Sequence, residues 1–275
     1  MTTERSAERT GTKMRILSTT LVVALVGSPA LGGDLVITYD ASQGALPTER
    51  CWEAIGAQYA PLPVVVDGAL VHGMTGYGTA SYFAHSYPPI DFADGAAVEA
   101  SVKVDSSTWY AGNPYKRTGY YVAISDNAGK YAAIGISSDR VLLSTADQNW
   151  SDQTYLINTT RSFHTYRLEI VGSLATLLID GVPVLSDTVG SGATPNRAYF
   201  GDASILGNSK TRTQYVKVEG VPVCSIADID CSGVVDAADL AVVIGAWGTS
   251  LCEADVNDDG TVNAQDVAIL LGLWG

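Results

Sequence analysis

The sequence is poor in positive charge, and its last fifth has none. The chain of 275 residues carries 16 Lys and Arg against 29 Asp and Glu, a formal net charge of −13. This balance argues against nucleic-acid binding, which needs a cationic surface. Between 221 and 275 there is no Lys or Arg, and the acids there are Asp228, Asp230, Asp236, Asp239, Glu253, Asp255, Asp258, Asp259 and Asp266. Because such crowded carboxylates repel one another, this segment predicts bound cations.

Long apolar runs are also missing. The run from Ile16 to Val26 has only about 11 residues, whereas a membrane span needs ~20. It follows Met14-Arg15 and precedes the small residues Ala30 and Gly32, a pattern typical of a cleaved signal peptide rather than of a span. We therefore predict a signal-peptide region at 1–33, no membrane span in the mature chain, and a secreted, extracellular or cell-surface location.

Cysteine is scarce, with four in the chain. Export permits disulfides. Cys224 and Cys252 precede the two acidic segments in nearly matching places. This placement predicts a Cys224–Cys252 bridge, and Cys51 and Cys231 are expected to be free thiols.

Residues 34–219 show no convincing helical periodicity. Short runs rich in β-branched and aromatic residues recur between turn residues, for example VEASVKV from 98, GYYVAIS from 119 and YVKVEG from 215. Asp180-Gly181 between two such runs predicts a tight hairpin. With 47% hydrophobic and 16% charged residues, the chain can bury a sizeable core. The pattern predicts a mainly β domain built as a two-sheet sandwich.

The succession HTYRLEIVG, SLATLLIDGVPVL and YFGDAS, from 164 to 204, resembles the concanavalin A-like, laminin-G-like jelly-roll modules of secreted proteins. The resemblance implies a jelly-roll β-sandwich for 34–219. It indicates a fold more than an activity.

The acidic end of the chain contains an internal repeat. DIDCSGVVDAADLAVVIGAWG, from 228 to 248, aligns without gaps on DVNDDGTVNAQDVAILLGLWG, from 255 to 275. Each copy reads as an oxygen-rich loop followed by a short apolar helix. Gly is expected to end each helix after the repeated Trp.

Each loop spaces its oxygen donors as a twelve-residue calcium loop does, at positions 1, 3, 5, 7, 9 and 12 with Gly at position 6. Calcium is a hard cation that takes 6–8 oxygens, whereas Mg²⁺ needs a more rigid octahedron. Two polar turns with Asp helix caps would explain Asp239 or Asp266 alone, but not the whole pattern twice. The predicted ligands are Asp228, Asp230, Ser232, the Val234 carbonyl, Asp236 and Asp239 in the first loop, and Asp255, Asn257, Asp259, the Thr261 carbonyl, Asn263 and Asp266 in the second. Because Ser232 is a neutral ligand where Asp259 is charged, the two sites should differ in affinity.

Paired loop–helix units with Asp at position 12, and with only Ser225–Ala227 ahead of the first loop, resemble the type I dockerin domain. The resemblance implies a small EF-hand-like helical domain at 220–275 that binds two calcium ions. It also implies a cohesin-type partner on a scaffold protein and an association with cellulosome-like machinery that degrades polysaccharides.

The dockerin-like segment departs from the family at the positions that usually contact cohesin. Where the resemblance implies hydroxyls at loop positions 10 and 11, this chain has Ala237-Ala238 and Ala264-Gln265, and neither helix has Lys or Arg. The partner surface is therefore expected to be more apolar, or docking to use another face. Leu240, Val243 and Ile244 are candidates for such a face, although core packing is the favoured interpretation for them.

No glycosidase motif stands out in the first domain. Jelly-roll glucanases set their acids as Glu-x-Asp-x-Glu on one strand, and this triplet is absent from the sequence. Glu99, Asp105, Asp139 and Glu169 are each interpreted as residues of a solvated strand face or turn. The sequence thus favours a non-catalytic role, and it assigns no catalytic residue.

Aromatic residues in two polar segments give a binding role more support. Trp109, Tyr110, Tyr115 and Trp150 lie near amide side chains in expected loops, as sugar platforms do. The alternative is that these rings cap the sandwich core. The prediction is a secreted calcium-binding dockerin protein whose sandwich contacts carbohydrate without catalysis. A glycoside hydrolase or lyase, and an assembly protein with a protein-binding sandwich, remain open alternatives.

Overall fold

The computed structural model describes residues 35–56, 62–73, 80–86, 88–109, 120–144, 153–202 and 207–275. The chain divides into two compact units, Met1–Ala30 and Leu31–Gly275. The first unit, and with it the predicted signal peptide at 1–33, lies outside the described residues. Among the described helices, none is long and apolar enough to cross a membrane.

Antiparallel strands are the main secondary structure of the described chain. They are β1 (Leu35–Asp40), β2 (Glu53–Ile55), β3 (Val64–Val66), β4 (Ala69–Gly73), β5 (Ser81–Ser86), β6 (Ala96–Trp109), β7 (Tyr120–Ser125), β8 (Tyr131–Ile136), β9 (Arg140–Ser144), β10 (Thr154–Leu156), β11 (His164–Val171), β12 (Leu174–Ile179), β13 (Val182–Thr188), β14 (Arg197–Asp202) and β15 (Gly207–Gly220). Short 3₁₀ turns at Ala41–Gln43, Pro47–Glu49 and Phe92–Asp94 interrupt the connections.

The strands form two sheets. The first has the order β13-β12-β11-β6-β15-β4-β3, with β1 also pairing with β15, and the second has the order β10-β9-β8-β7-β14-β5-β2. One hydrophobic core contains buried residues of both sheets, such as Val98 and Leu168 from the first and Val122 and Ile134 from the second. The predicted mainly β sandwich is confirmed.

Alternation along the strands explains why the sheets bury one face. On β6, Val98, Ala100 and Val102 are fully buried in the core, whereas Glu99 and Lys103 are partly exposed. The predicted hairpin at Asp180-Gly181 is confirmed, because β12 ends at Ile179 and β13 begins at Val182. Both turn residues have positive φ, 51° and 78°, as a two-residue hairpin turn requires.

One end of the core is aromatic. Phe200 contacts Trp52, Tyr39 and Phe83 at ring-centroid distances of 4.9, 5.7 and 5.3 Å. His85 packs edge-on against Trp52 at 5.2 Å. Burial, only partly offset by the backbone of Ser86, lowers the pKa of His85 to about 4, so its ring is neutral at physiological pH.

The C-terminal module, which we define as residues 221–275, contains two helices, α1 (Ala237–Gly245) and α2 (Ala264–Gly272). Its small core is duplicated, since Ala227, Val235 and Val243 correspond in the repeat to the equally buried Ala254, Val262 and Leu270. The backbone repeats this symmetry. Gly248 N–H donates to the Val262 carbonyl at 2.8 Å, and its counterpart Gly275 donates to Val235 at 3.2 Å. The predicted pair of loop–helix units is confirmed.

The cysteine prediction is wrong. The bridges are Cys51–Cys252 and Cys224–Cys231, with Cα–Cα distances of 5.5 and 5.4 Å, so neither Cys51 nor Cys231 is free. Cys231 stands at the left-handed fourth position of the first loop, φ 53°, where the chain turns back towards Cys224. Cys252 instead faces the sandwich. The matching places of Cys224 and Cys252 suggested a link between the repeats, and the sequence carried no sign that the second repeat contacts another part of the chain.

Further contacts join the module to the sandwich. Pro222 forms a β-bridge with Ile90, and Val223 N–H donates to the carbonyl of Pro89. The Arg50 guanidinium donates from Nη1 to the Asp259 carbonyl at 2.6 Å. The sandwich and the C-terminal module therefore pack within one compact unit.

Candidate metal centre

Two buried aspartates organise the two loops. Asp239 and Asp266, at the twelfth positions, are 1% and 0% exposed. Asp239 accepts hydrogen bonds from the backbone N–H of Ile229 at 2.7 Å and of Asp236 at 2.9 Å. Asp266 accepts the corresponding bonds from Asn257 at 3.2 Å and Asn263 at 2.7 Å. Each carboxylate thus caps its helix and ties the start of its loop to the end.

The first loop brings its predicted ligands together. Carboxylate oxygens of Asp228, Asp230 and Asp239 lie within 4.8 Å of one another. Ser232 Oγ is 3.2 Å from the carbonyl oxygen of Val234. Asp236, at the ninth position, is the N-cap of α1 and accepts from Ala238 N–H at 2.7 Å. Three of the six predicted donors thus form one cluster of carboxylates, and Ser232 and Val234 form a close pair. Asp236 caps the helix.

The second loop repeats this arrangement with amides. Asp255 accepts from the backbone N–H of Asp259 at 3.1 Å and Gly260 at 2.7 Å. The Asn263 amide nitrogen lies 2.8 Å from the Thr261 carbonyl oxygen and 3.5 Å from an Asp259 oxygen, so these two oxygens converge on one point. The Asn257 amide also reaches Asp259, at 3.0 Å.

The electrostatics of the loops favour a bound cation. Burial raises the pKa of Asp255, and the nearby carboxylates of Asp266 and Asp259 raise it further against the opposing backbone hydrogen bonds. Burial also opposes the ionisation of Asp239, but backbone N–H groups, that of Asp236 first, lower its pKa overall. A cation placed among these acids would offset their mutual repulsion.

The donor set fits calcium. All predicted ligand atoms in both loops are oxygens from carboxylates, amides, a hydroxyl and carbonyls, the set that a hard cation prefers. Gly233 and Gly260, at the sixth positions, have φ of 98° and 92°, a conformation that favours glycine and lets the loop turn around a central ion.

The two repeats define a small module built from duplicated loop–helix units whose loops are rich in oxygen donors. Residues 226–271, in the C-terminal region of this chain, match the family model of the dockerin type I domain, which confirms the predicted resemblance. Dockerin domains bind calcium and bind cohesins. No curated protein matches the chain.

Comparison with solved structures concerns mainly the sandwich. A structure titled sialidase superposes with a TM-score of 0.50 at 12% identity, covering 78% of this chain and 20% of that one. A Crh5 transglycosylase gives 0.47 at 15% identity, covering 67% and 84%. A prokaryotic β-1,3-1,4-glucanase (lichenase) derived from a mouse hindgut metagenome gives 0.45 at 9%, covering 68% and 99%. At these identities the likeness concerns the fold alone.

The predicted carbohydrate contacts fall mostly outside the described chain. Tyr110, Tyr115 and Trp150 are not among the described residues. Trp109 ends β6, and the Arg140 guanidinium carbon lies 5.8 Å from the centroid of its ring. Trp109 is thus the one predicted aromatic residue whose surroundings the structure describes.

Sequence reasoning missed a second aromatic group. Tyr82 on β5 and Tyr199 on β14 lie on the outer face of the second sheet, with ring centroids 5.9 Å apart. Beside them Arg197 and Glu53 form an ion pair at 2.7 Å. They come from three strands that are far apart in sequence, and the pairing of β14 with β5 and of β5 with β2 brings them together.

The acids weighed as catalytic candidates are paired with arginines. Glu99 and Glu169 come from neighbouring strands and meet at Arg167, at 3.3 and 2.9 Å, together with Glu219 at 2.7 Å. Burial would raise the pKa of Glu219, but Lys217 and Arg167 lower it overall, so it is not poised as a general acid. Asp105 pairs with Arg212 at 3.0 Å and Asp139 with Arg140 at 2.7 Å.

Proposed function

We propose that this chain is an exported two-domain protein. In this proposal residues 1–33 direct export, 34–219 form the sandwich domain, and 220–275 form a dockerin domain that holds two calcium ions. The sandwich is a non-catalytic, carbohydrate-contacting component of extracellular polysaccharide-degrading machinery. The observation that carries the proposal is the duplicated cluster of oxygen donors around Asp239 and Asp266 within a dockerin type I domain.

Calcium would complete the fold of the dockerin domain. The ligands would be the twelve predicted groups, six in each loop. Both buried aspartates tie a loop to a helix, so neutralising them with an ion stabilises loop and helix together. Circular dichroism during a calcium titration tests this. Helical signal should rise as two ions bind, and a chain whose spectrum does not respond to calcium would contradict the proposal.

The cohesin-type partner would meet an apolar, uncharged helix face. Val243 is fully buried and Leu240 partly so, in agreement with core packing, but Ile244 is 55% exposed. Its counterpart in the repeat, Leu271, is 53% exposed. The alanines at loop positions 10 and 11 of the first repeat are exposed on the same helix. We infer that apolar contact, rather than the usual hydroxyl bonding, drives partner binding.

The partner surface can be tested with matched variants. Ile244→Ser/Leu271→Ser should weaken binding to a cohesin domain at saturating calcium by at least about tenfold, because exposed apolar side chains act as interface anchors. Val223→Ser is the control, since Val223 is 60% exposed but lies outside both helices. Calorimetry with a panel of cohesin domains measures the affinity of each variant. Equal losses in the two variants would contradict the assigned face.

The glycan-contacting role rests on aromatic rings in two places, Trp109 and the Tyr82–Tyr199 pair. Tyrosine rings beside an ion pair offer stacking and hydrogen bonds together, which is how shallow sugar sites work. Affinity electrophoresis through gels containing plant and algal polysaccharides tests the role. Retardation that Tyr199→Ala or Trp109→Ala abolishes would support it, while uniform mobility of the unmodified chain would favour the assembly role.

The hydrolase or lyase alternative is tested by the same panel. Release of reducing ends or unsaturated products from any retarding polymer would establish catalysis. In that case the acids to substitute first are not those bound to Arg167, because ion pairs with its guanidinium already engage them.

A further inference from the structure

Three side chains with metal-binding atoms meet where the second calcium loop contacts the sandwich. Cys51 Sγ, a ring nitrogen of His85 and a carboxylate oxygen of Asp258 all lie within 4.8 Å of one another. Cys51 and His85 belong to the sandwich, and Asp258 belongs to the C-terminal module. Asp258 stands at the fourth position of its loop, which is outside the predicted calcium ligands. This cluster is therefore separate from both calcium sites.

His85 is an unusual member of a protein core. It is 8% exposed, and neither ring nitrogen has a hydrogen-bond partner of good geometry among the described residues. Buried polar atoms are normally satisfied, so an imidazole whose nitrogens have no well-aligned partner in the described part of the chain calls for an explanation. A metal ion is one partner that a neutral imidazole accepts readily.

The surroundings leave room for an ion and its water. Cys51, His85 and Asp258 line one cleft of about 590 Å³ between the sandwich and the module. Cys252 and Glu53 also line this cleft. An ion bound by the three side chains would thus have an open coordination position that faces the cleft.

The donor atoms select the type of metal. Sulfur, imidazole nitrogen and one carboxylate oxygen form the mixed set that zinc takes in tetrahedral sites with three protein ligands. Calcium prefers oxygen alone, so it would stay in the loops. The cluster and the loops should therefore discriminate between the two metals.

The disulfide controls access to this site. In the structure Cys51 is bonded to Cys252, and a disulfide sulfur is a poor metal ligand. A phosphine would reduce the bridge: it takes the oxygen of one water molecule to become the phosphine oxide, and the two protons of that water complete the two thiols. Zinc would then take Cys51 as a thiolate and release its proton.

We propose that the Cys51–Cys252 disulfide covers a latent zinc site formed by Cys51, His85 and Asp258. When the bridge is open, zinc joins the sandwich to the C-terminal module through these side chains. The sandwich and the C-terminal module can then be cross-linked in two alternative ways, by the disulfide or by zinc coordination. This inference does not depend on the cohesin or carbohydrate roles.

Two single variants of the full chain isolate the site. Cys252→Ser leaves the Cys51 thiol beside His85 and Asp258, whereas Cys51→Ser leaves only the Cys252 thiol. Both keep the Cys224–Cys231 bridge, so each has one free thiol and needs no reductant. Zinc uptake is measured by equilibrium dialysis in excess calcium, which keeps the loops filled. Cobalt is used in parallel, because thiolate ligation gives it a charge-transfer absorption.

Cys252→Ser should bind one zinc ion more than Cys51→Ser and should show the cobalt–thiolate band. Adding His85→Gln or Asp258→Asn to Cys252→Ser should weaken zinc binding by at least about tenfold, since even outer partners of a metal site cost that much. Equal zinc uptake by the two single variants would overturn the proposal. If Cys252→Ser does not fold, phosphine-reduced wild type is compared with reduced Cys51→Ser, and equal uptake there overturns it as well.

Discussion

The two repeats of the C-terminal module have nearly identical buried residues but different attachments to the rest of the chain. Both bury Ala, Val and an aspartate at equivalent positions, and both close the loop with the same backbone bonds. In their attachments the repeats differ: the Cys224–Cys231 disulfide links the first loop to the segment directly before it. The second is fixed to the sandwich by Cys51–Cys252 and by Arg50. The two repeats thus share their core positions and loop-closing bonds and differ in how they are attached to the rest of the chain.

This difference implies that the two loops depend on the sandwich to different extents. The first repeat has its own internal bridge, so we expect its loop geometry to depend less on the sandwich. A repeat bonded to the sandwich has its loop geometry linked to the sandwich as well. Calcium binding by the second loop should therefore respond to changes in the sandwich, while binding by the first should not.

The largest expected difference between the repeats is in the stability lost when each disulfide is removed. The Cys51–Cys252 bridge closes a separation of 201 residues, and Cys224–Cys231 closes one of 7. By the chain-entropy relation, Cys51→Ser/Cys252→Ser should cost about 5 kcal/mol and Cys224→Ser/Cys231→Ser about 2 kcal/mol. Denaturant unfolding at saturating calcium measures both. A larger loss from the short bridge would contradict the proposed anchoring of the second repeat.

Loss of a buried aspartate should be similar in the two repeats, because their interiors match. Asp266→Ala and Asp239→Ala each remove an acceptor of two or more backbone N–H groups as well as a predicted ligand. Each should destabilise the module by at least about 3 kcal/mol and reduce the helical signal of both helices, which share one core. Far-UV circular dichroism measures this, with the exposed Asp94→Ala as control. A loss confined to one helix would show that the repeats fold separately.

Exchange of the fifth loop ligand tests whether the loops differ by chemistry. Ser232→Asp adds a charged ligand to the first loop and should raise its calcium affinity by about tenfold, ~1.4 kcal/mol. Asp259→Ser should lower the affinity of the second loop by a similar factor. Calorimetry of each variant separates the two sites. If neither exchange changes an affinity, position 5 does not contact the ion in either loop.

The smallest effect is expected from Arg50. Its bond to the Asp259 carbonyl fixes the second loop only, so Arg50→Ala should lower the affinity of that loop by about 1 kcal/mol or less, given that the bond is exposed. The first loop should not change. Arg161→Ala, at an exposed arginine elsewhere on the sandwich, is the control. An equal change in both loops would argue against a local action of Arg50.

The sequence predicted features that depend on local pattern. Periodic strands, the hairpin at Asp180-Gly181 and the duplicated loop–helix units follow from residues close together in the chain, and the structure confirms them. Their geometry depends on few neighbours, so a single sequence suffices.

Features that depend on distant contacts were not predictable. The pairing of Cys252 with Cys51 requires knowing that the second repeat packs on the sandwich. The clustering of Glu99, Glu169 and Glu219 around Arg167 depends on the order of β11, β6 and β15 in the first sheet. The position of His85 beside Asp258 likewise arises only because the C-terminal module packs on the sandwich.

A calorimetric calcium titration of the unmodified chain tests the central claim most directly. Two loops with matching interiors but different fifth ligands and different attachments should bind two ions with two separable affinities, accompanied by a rise in helical signal. Binding of one ion or none, or of two ions with indistinguishable affinities, would contradict this account of the repeats.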